Sequence, residues 1–208
     1  MSRIAFIGGG GFAKEAREIA LLRGYEVVGY TGKPQGILHA PYWGTNDALL
    51  DHAGDFDSVF VAFGAVNRAS LEARRDMISW VDGHGLAMEP LVSPHATISA
   101  GVSIAAGALV AHGVVVSVDA RIDRCAILNT GAIVGHDATI GAGAILAPGA
   151  FVGGTAAIGD HSLIGPGVIV LEGRRVGSFV VAGLGSTVVR SIADGATVMP
   201  QRSRVLNG

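Results

Sequence analysis

From Val92 onward, every sixth residue is aliphatic: Val92, Ile98, Ile104, Val110, Val116, Ile122, Leu128, Val134, Ile140, Leu146, Val152, Ile158, Ile164, Val170 and Val176, fifteen positions without an insertion. The next steps, Ala182 and Val188, remain apolar. Two residues before each of these sits a small one, from Ala96 and Val102 through Ala108, Ala126, Ala144, Ala156 and Ser162, with Arg174 the main break. A repeat of this kind is the first thing to look for, because it fixes the fold. Three six-residue segments make one triangular coil of eighteen residues. The aliphatic fills the interior, the small residue fits the tight corner, and Gly, Asn or Asp takes the turn positions that need unusual φ. Coils stack at strand spacing, about 4.8 Å, so each covers the edge of the last. About five coils fit between Val92 and Val188. The expected fold is a left-handed parallel β-helix of hexapeptide repeats behind a small α/β, Rossmann-like domain.

Composition supports that division. The chain has 208 residues and 32 glycines, about twice the usual share. Most glycines follow residue 90, whereas Trp43, Trp80 and all three tyrosines precede it. The boundary is expected within 83–90, giving an α/β domain over 1–88 and a β-helix over 89–208. The net charge is −2 with no basic stripe, so nucleic acid is not an expected partner. The opening apolar run is too short for a signal peptide, and no run reaches the roughly 18 residues of a membrane span. Cys125 is the sole cysteine, which excludes an internal disulfide. A cytoplasmic protein with no membrane partner is the expectation.

In the first ninety residues, strands are expected at 3–8, 25–30 and 58–63, and helices at 12–23 and 67–82. Alternation of this kind implies a parallel α/β domain. Gly8, Gly10 and Ala13 fit G-x-G-x-x-A after the first strand, a loop that aims backbone N–H groups at a phosphate. The second strand ends in Tyr30-Thr31-Gly32-Lys33, without the acidic residue a nicotinamide ribose would want. Dinucleotide binding, nucleotide or nucleotide-sugar binding, and a loop that merely turns all remain open.

Four histidines lie in the repeats. His95 and His112 are 17 apart and share an edge on successive coils; His136 falls a third of a turn away and His161 on the remaining edge. No three meet within one chain, so no metal is expected unless neighbouring subunits complete a site. His136 lies two past the inward Val134 and points outward near a corner, with Asp137 adjacent. The carboxylate can hold one imidazole nitrogen while the other takes a proton. A solvated His–Asp surface pair is the alternative. Cys125 reads as a structural thiol.

Several motifs resemble one family, the sialic-acid O-acetyltransferase and bacillosamine N-acetyltransferase type of sugar O-/N-acetyltransferases, within the hexapeptide-repeat superfamily. They are Gly8-Gly9-Gly10-Gly11-Phe12-Ala13-Lys14, Val59–Gly64 with Asn67-Arg68 after it, Ser93-Pro94-His95-Ala96, and Leu128-Asn129-Thr130 followed by His136-Asp137. The resemblance covers nearly the whole chain. It implies a homotrimer that takes acetyl-CoA in the groove between neighbouring helices and a nucleotide-linked amino sugar on the N-terminal domain. His136 would be the general base and Asp137 would raise its basicity. Gly154, Pro166, Gly183 and Leu184 would line the CoA channel, with Arg202 and Arg204 near its phosphates. Gly10, Gly11, Phe12, Thr31, Gly32 and Gly64 would line the acceptor pocket.

Departures cluster at the acceptor end. The family commonly has His where Phe12 stands, an Asp pair where Thr31-Gly32 stands, and G-N-N or G-D-N where Gly64-Ala65-Val66 stands. A second His often follows the first by nine residues; here it is Ile145. The usual C-terminal G-V-P-A is replaced by Val198-Met199-Pro200-Gln201. The acceptor is therefore open between a nucleotide-linked amino sugar and another small amine or alcohol. A β-helix metal enzyme of the γ-carbonic-anhydrase type is the alternative of a different class, although the close His-x-x-x-x-His pair of that family is absent here.

Overall fold

A computed structural model describes residues 2–34 and 38–200. The first part is a parallel sheet in the order β3-β2-β1-β4, with β1 Ser2–Ile7, β2 Tyr25–Thr31, β3 Tyr42–Gly44 and β4 Ser58–Val61. Helix α1 (Gly11–Leu22) follows β1, a single turn α2 (Ala48–Asp51) follows β3, and α3 (Arg68–Gly83) follows β4. The expected strands and long helices are present within two residues. β3 and α2 were not anticipated; three residues and one turn are too short to show a period. β4 is buried along its whole length, as expected of a parallel strand covered on both faces. Asn67 caps α3 by accepting from the Ser70 N–H at 2.9 Å, and Ser70 Oγ accepts in return from the Asn67 N–H.

From Leu91 the chain winds into two-residue strands that stack in three parallel sheets of seven, six and five strands, six turns of a solenoid. Partners lie eighteen residues apart, as in Ile127↔Ile145 and Leu128↔Leu146. The series Val110 to Val176 is buried, as are the small residues Ala108, Val114, Ala120, Ala126 and their successors. One position per hexad adopts positive φ without a break from Gly101 to Gly185. Asp119, Cys125, Asp137, Thr155, His161 and Phe179 stand there in place of glycine. Asp tolerates this region, whereas Thr and Phe bear strain in it.

The turn count of about five is corrected to six. Val176 bridges Ile192 and Ala182 pairs with Val198, sixteen rather than eighteen residues apart. The hexad after Val188 is two residues short, so the six-step series loses phase just where the last coil closes.

The three faces differ in what they show outward. The first carries Leu91, Leu109, Ile127, Ile145 and Leu163, all buried. The N-terminal domain packs on it, and Ile4, Phe6, Leu71, Leu91, Leu109 and Ile127 belong to one hydrophobic cluster. The second face shows Val115, Ile133, Phe151 and Ile169, of which the last three are 40%, 39% and 47% exposed. The third is mostly polar, with Ser103, Arg121, Thr139 and Arg175 beside the small Ala157. Arg74 of α3 is fully buried where the domain meets the solenoid. Its guanidinium donates to the Cys125 carbonyl at 2.7 Å, and burial lowers its pKa to about 10. Burial likewise raises the pKa of the Cys125 thiol, partly offset by Arg74. Among the described residues, no helix is long and apolar enough to cross a membrane.

Candidate active site

His136 sits on the edge between the second and third faces, after the strand Ile133–Val134 and before Thr139–Ile140. Backbone bonds clamp this corner from both sides: Asp137 N–H donates to Val118 O at 3.0 Å, and His136 O accepts from Thr155 N–H at 2.8 Å. Asp137 takes the positive-φ position, φ 57°, which turns its carboxylate back towards the ring. Its Oδ2 lies 2.8 Å from His136 Nδ1. A carboxylate only accepts, so Nδ1 carries the proton and Nε2 is left as the basic nitrogen. Both side chains are about half exposed, at 52% and 57%. Nε2 lies against Gly154, one coil further on: a Cβ there would stand 2.5 Å from Nε2 and 2.8 Å from Cε1.

The glycine loop closes the carboxyl end of β1. Gly8 has φ 113°, donates its N–H to Thr31 O at 2.9 Å, and would bring a Cβ to 3.0 Å from Ala62 O. Gly10 is the N-cap of α1 and makes no side-chain cap bond. Gly32 (φ 103°) and Gly64 follow β2 and β4, so the loop lies between both strand ends. In open α/β sheets ligands bind outside the carboxyl ends of the strands where strand order reverses, here between β1 and β4. Thr31 is fully buried and its hydroxyl donates to Asn46 Oδ1 at 3.0 Å. Its side chain therefore faces into the domain, not into the crevice.

A cavity of about 500 Å³ joins that crevice to the first face. Phe12 and Gly64–Val66 form one wall, Ile127, Ile145 and Leu163 the floor, and Pro166 and Val181–Leu184 the far wall. It brings Phe12, Gly64, Pro166, Gly183 and Leu184 together, and among the described residues Asn129 is its sole polar side chain. A second groove of about 560 Å³ runs along the third face past Arg121 and Arg175 and holds none of the expected site residues. Within one chain, His136 and Gly154 do not join the cavity. They occupy the edge opposite the first face, separated from Pro148, Pro166 and Leu184 by the width of the second. Arg202 and Arg204 lie outside the described residues.

The other histidines fall as their spacing requires. The His95 and His112 rings are 5.4 Å apart, with Ser93 Oγ 2.6 Å from His112 Nδ1. His161 packs on Phe179 at 5.1 Å, on the edge between third and first faces; its pKa is lowered chiefly by burial. Among the described residues, no group of three or more His, Cys, Asp or Glu could hold a metal ion.

Residues 3–71 match the model of the PglD N-terminal domain. The acetyltransferase domain of PglB from Neisseria gonorrhoeae, solved with acetyl coenzyme A, is 32% identical over 94% of each chain, with a TM-score of 0.85. The chain belongs to the hexapeptide-repeat sugar acetyltransferases. A mutant perosamine N-acetyltransferase from Caulobacter crescentus, solved with CoA and GDP-perosamine, is 28% identical over 95% of this chain and 93% of that one, with a TM-score of 0.88. WeeI from Acinetobacter baumannii shares the fold, at 22% identity and a TM-score of 0.83 over 99% and 100% of the two chains. No curated protein sequence matches the chain significantly. As a member of this family the protein is an acyltransferase, and its solenoid is the left-handed parallel β-helix.

Proposed function

We propose that the protein transfers the acetyl group of acetyl-CoA to the amino or hydroxyl group of a nucleotide-activated sugar, with His136 as general base. The observation that carries this reading is the His136–Asp137 pair: Nδ1 is held by the carboxylate, and Nε2 is left free beside Gly154. Relatives solved with acetyl coenzyme A, or with CoA and GDP-perosamine, support the two substrates.

The acceptor nitrogen or oxygen attacks the thioester carbonyl while Nε2 removes its proton. The tetrahedral intermediate then expels the thiolate of CoA, which takes the proton back from the imidazolium. Asp137 fixes the tautomer and stabilises that cation. A base so placed is typically worth about 10²–10⁴ in rate. Holding both substrates in one groove supplies much of the rest. No cysteine nucleophile is needed, which agrees with the burial of Cys125.

The site is completed between copies of the chain. The apolar stripe Val115, Ile133, Phe151 and Ile169 lies between the His136 edge and the edge carrying Pro148, Pro166 and Leu184. Burying that face in a homotrimer brings the His136 edge of one subunit against the cavity of the next. Acetyl-CoA then runs past Gly154 of one subunit and Pro166, Gly183 and Leu184 of its neighbour. The acceptor rests on Gly10, Gly11, Phe12, Gly32 and Gly64, while the inward Thr31, bonded to Asn46, fixes the end of β2 behind them. The α/β portion, residues 1–88, holds the acceptor, and the solenoid from residue 89 carries the chemistry.

The test is release of free CoA thiol from acetyl-CoA across a panel of nucleotide-linked amino sugars, with sedimentation to report assembly. Turnover with one sugar, lost in His136→Ala while the trimer persists, is the expected result. Undiminished turnover in that variant would remove the base, and a protein that does not bind acetyl-CoA would remove the reaction.

A further inference from the structure

The cavity beside the glycine loop has walls that belong to different parts of the fold. Gly64–Val66 come from the α/β portion and Val181–Leu184 from the solenoid. The first turn of α3 touches both. On one side, Ser70 Oγ accepts from the Val66 N–H at 2.9 Å, tying the near wall to the helix. On the other, Arg68 donates from Nη2 to the Gly195 carbonyl at 2.6 Å, a contact spanning 127 residues of sequence. Its guanidinium also lies 5.6 Å from the centroid of the Phe179 ring. The next residue, Ala196, offers its carbonyl to the Val181 N–H at 3.0 Å, and Val198 O accepts from Gly183 N–H at 2.8 Å. Three hydrogen bonds, Val66 to Ser70, Arg68 to Gly195 and Val181 to Ala196, thus link the two walls through the first turn of α3 and the backbone of the last coil.

The seat for Arg68 is specific. Gly195 lies in the shortened last coil at φ 72°, and a Cβ there would come within 3.5 Å of Arg68 Nη2. Phe179 holds its ring over the same edge from a positive-φ position that a bulky side chain rarely adopts. Arg75, two turns further along the same face of α3, shares that ring at 5.6 Å.

We infer that Arg68 is a positioning residue that sets the separation of the two cavity walls, and with it the affinity for the ligand held between them. It acts through the loop and the last coil and touches no reacting atom. Lysine cannot reproduce the role: it presents a point charge in place of a planar fork that bonds a carbonyl while lying on an aromatic ring.

The inference rests on the acyltransfer reading for its kinetic arm, and a second arm is independent of that reading. With acetyl-CoA and the acceptor that supports turnover, Arg68→Ala and Arg68→Lys are expected to raise one substrate's KM about tenfold while kcat changes less than about twofold. Amide exchange at Ala65 and Val66 in the ligand-free protein is expected to accelerate in both variants, with exchange in β1 and β4 unchanged. A KM like that of wild type, or unaltered exchange at Ala65 and Val66, would overturn the inference. A loss confined to melting temperature would make Arg68 a stabilising contact only, which also refutes it. If wild type does not turn over, the acyltransfer reading fails alone, and the exchange result still decides the role of Arg68.

Discussion

Gly154→Ala isolates the position of the His136 ring from everything else that holds the fold. Gly154 does not use positive φ, so alanine fits its backbone without strain, and the change is purely one of space. The added Cβ would stand 2.5 Å from Nε2 and 3.0 Å from Cδ2, whereas such atoms rest near 3.5–4.0 Å. The imidazole must therefore retreat by about 1 Å. It hinges about its own Cβ, so the retreat disturbs the 2.8 Å contact with Asp137 as well as the aim of Nε2. A misplacement of about 1 Å at a catalytic group can cost about 10² in rate. The ring is half exposed and free to swing, so little stability is lost, and the entropy of the unfolded chain falls slightly. The expected result is kcat lower by about 10²-fold at an unchanged or slightly higher melting temperature. Steady-state thiol release and thermal melting check it together. At saturating acetyl-CoA, which offsets any effect of the new methyl on the CoA path, adding the change to His136→Ala should lower kcat no further, because the ring it displaces is gone. A kcat within about twofold of wild type, or a full further loss in the double variant, would refute the assignment.

Two further outcomes are expected. Ile169→Glu places a charge on the exposed stripe two coils from His136; it should leave the melting temperature of the single chain nearly unchanged but dissociate the trimer and abolish turnover, as sedimentation and kinetics would show. His161→Asn keeps a residue tolerant of φ 53° and removes a half-buried imidazole. Burial lowers the pKa of His161, reinforced by Arg74 and Arg75 and opposed by Asp160, so the folded state binds the proton less readily than the unfolded state does. As pH falls through the ordinary histidine value of 6.5, unfolding gains a proton and stability drops. The variant should lose less melting temperature between about pH 7.5 and pH 5.5 than wild type, and an equal loss would exclude His161 as a source of acid sensitivity.

The repeat was legible because a solenoid writes its interior at a fixed spacing, and the same arithmetic placed His95 beside His112 and His136 on a corner. It failed at the last coil, where two missing residues break the phase without breaking the geometry. Arg74 was invisible for another reason. It keeps the helical spacing of Leu71, Ile78 and Val81, but an arginine in an apolar stripe reads as a break in it, and only the docking of α3 on the Cys125 carbonyl accounts for its full burial beside a partly exposed Arg75. The cavity was hidden because its walls are more than a hundred residues apart in sequence. The family resemblance implied Thr31 as a lining residue, but period-two alternation there turns its side chain inward to Asn46. Trp43, whose ring lies where a side chain on Gly29 would be, left no signal beyond a lone aromatic.

The short hexad between Val188 and Ile192 bears on how a chain of this kind can change length. Every inward aliphatic and every positive-φ corner is phased to those before it. One residue added inside a strand such as Val115–Val116 would exchange its inward and outward side chains and carry the shift to every later hexad until a corner absorbed it, whereas eighteen added together would only lengthen the stack. A two-residue loss is tolerable where few turns remain downstream to be thrown out of step, and in this molecule it falls in the final described coil. Tolerance to insertion and deletion should therefore be graded along the axis: whole coils anywhere, single residues only near the far end.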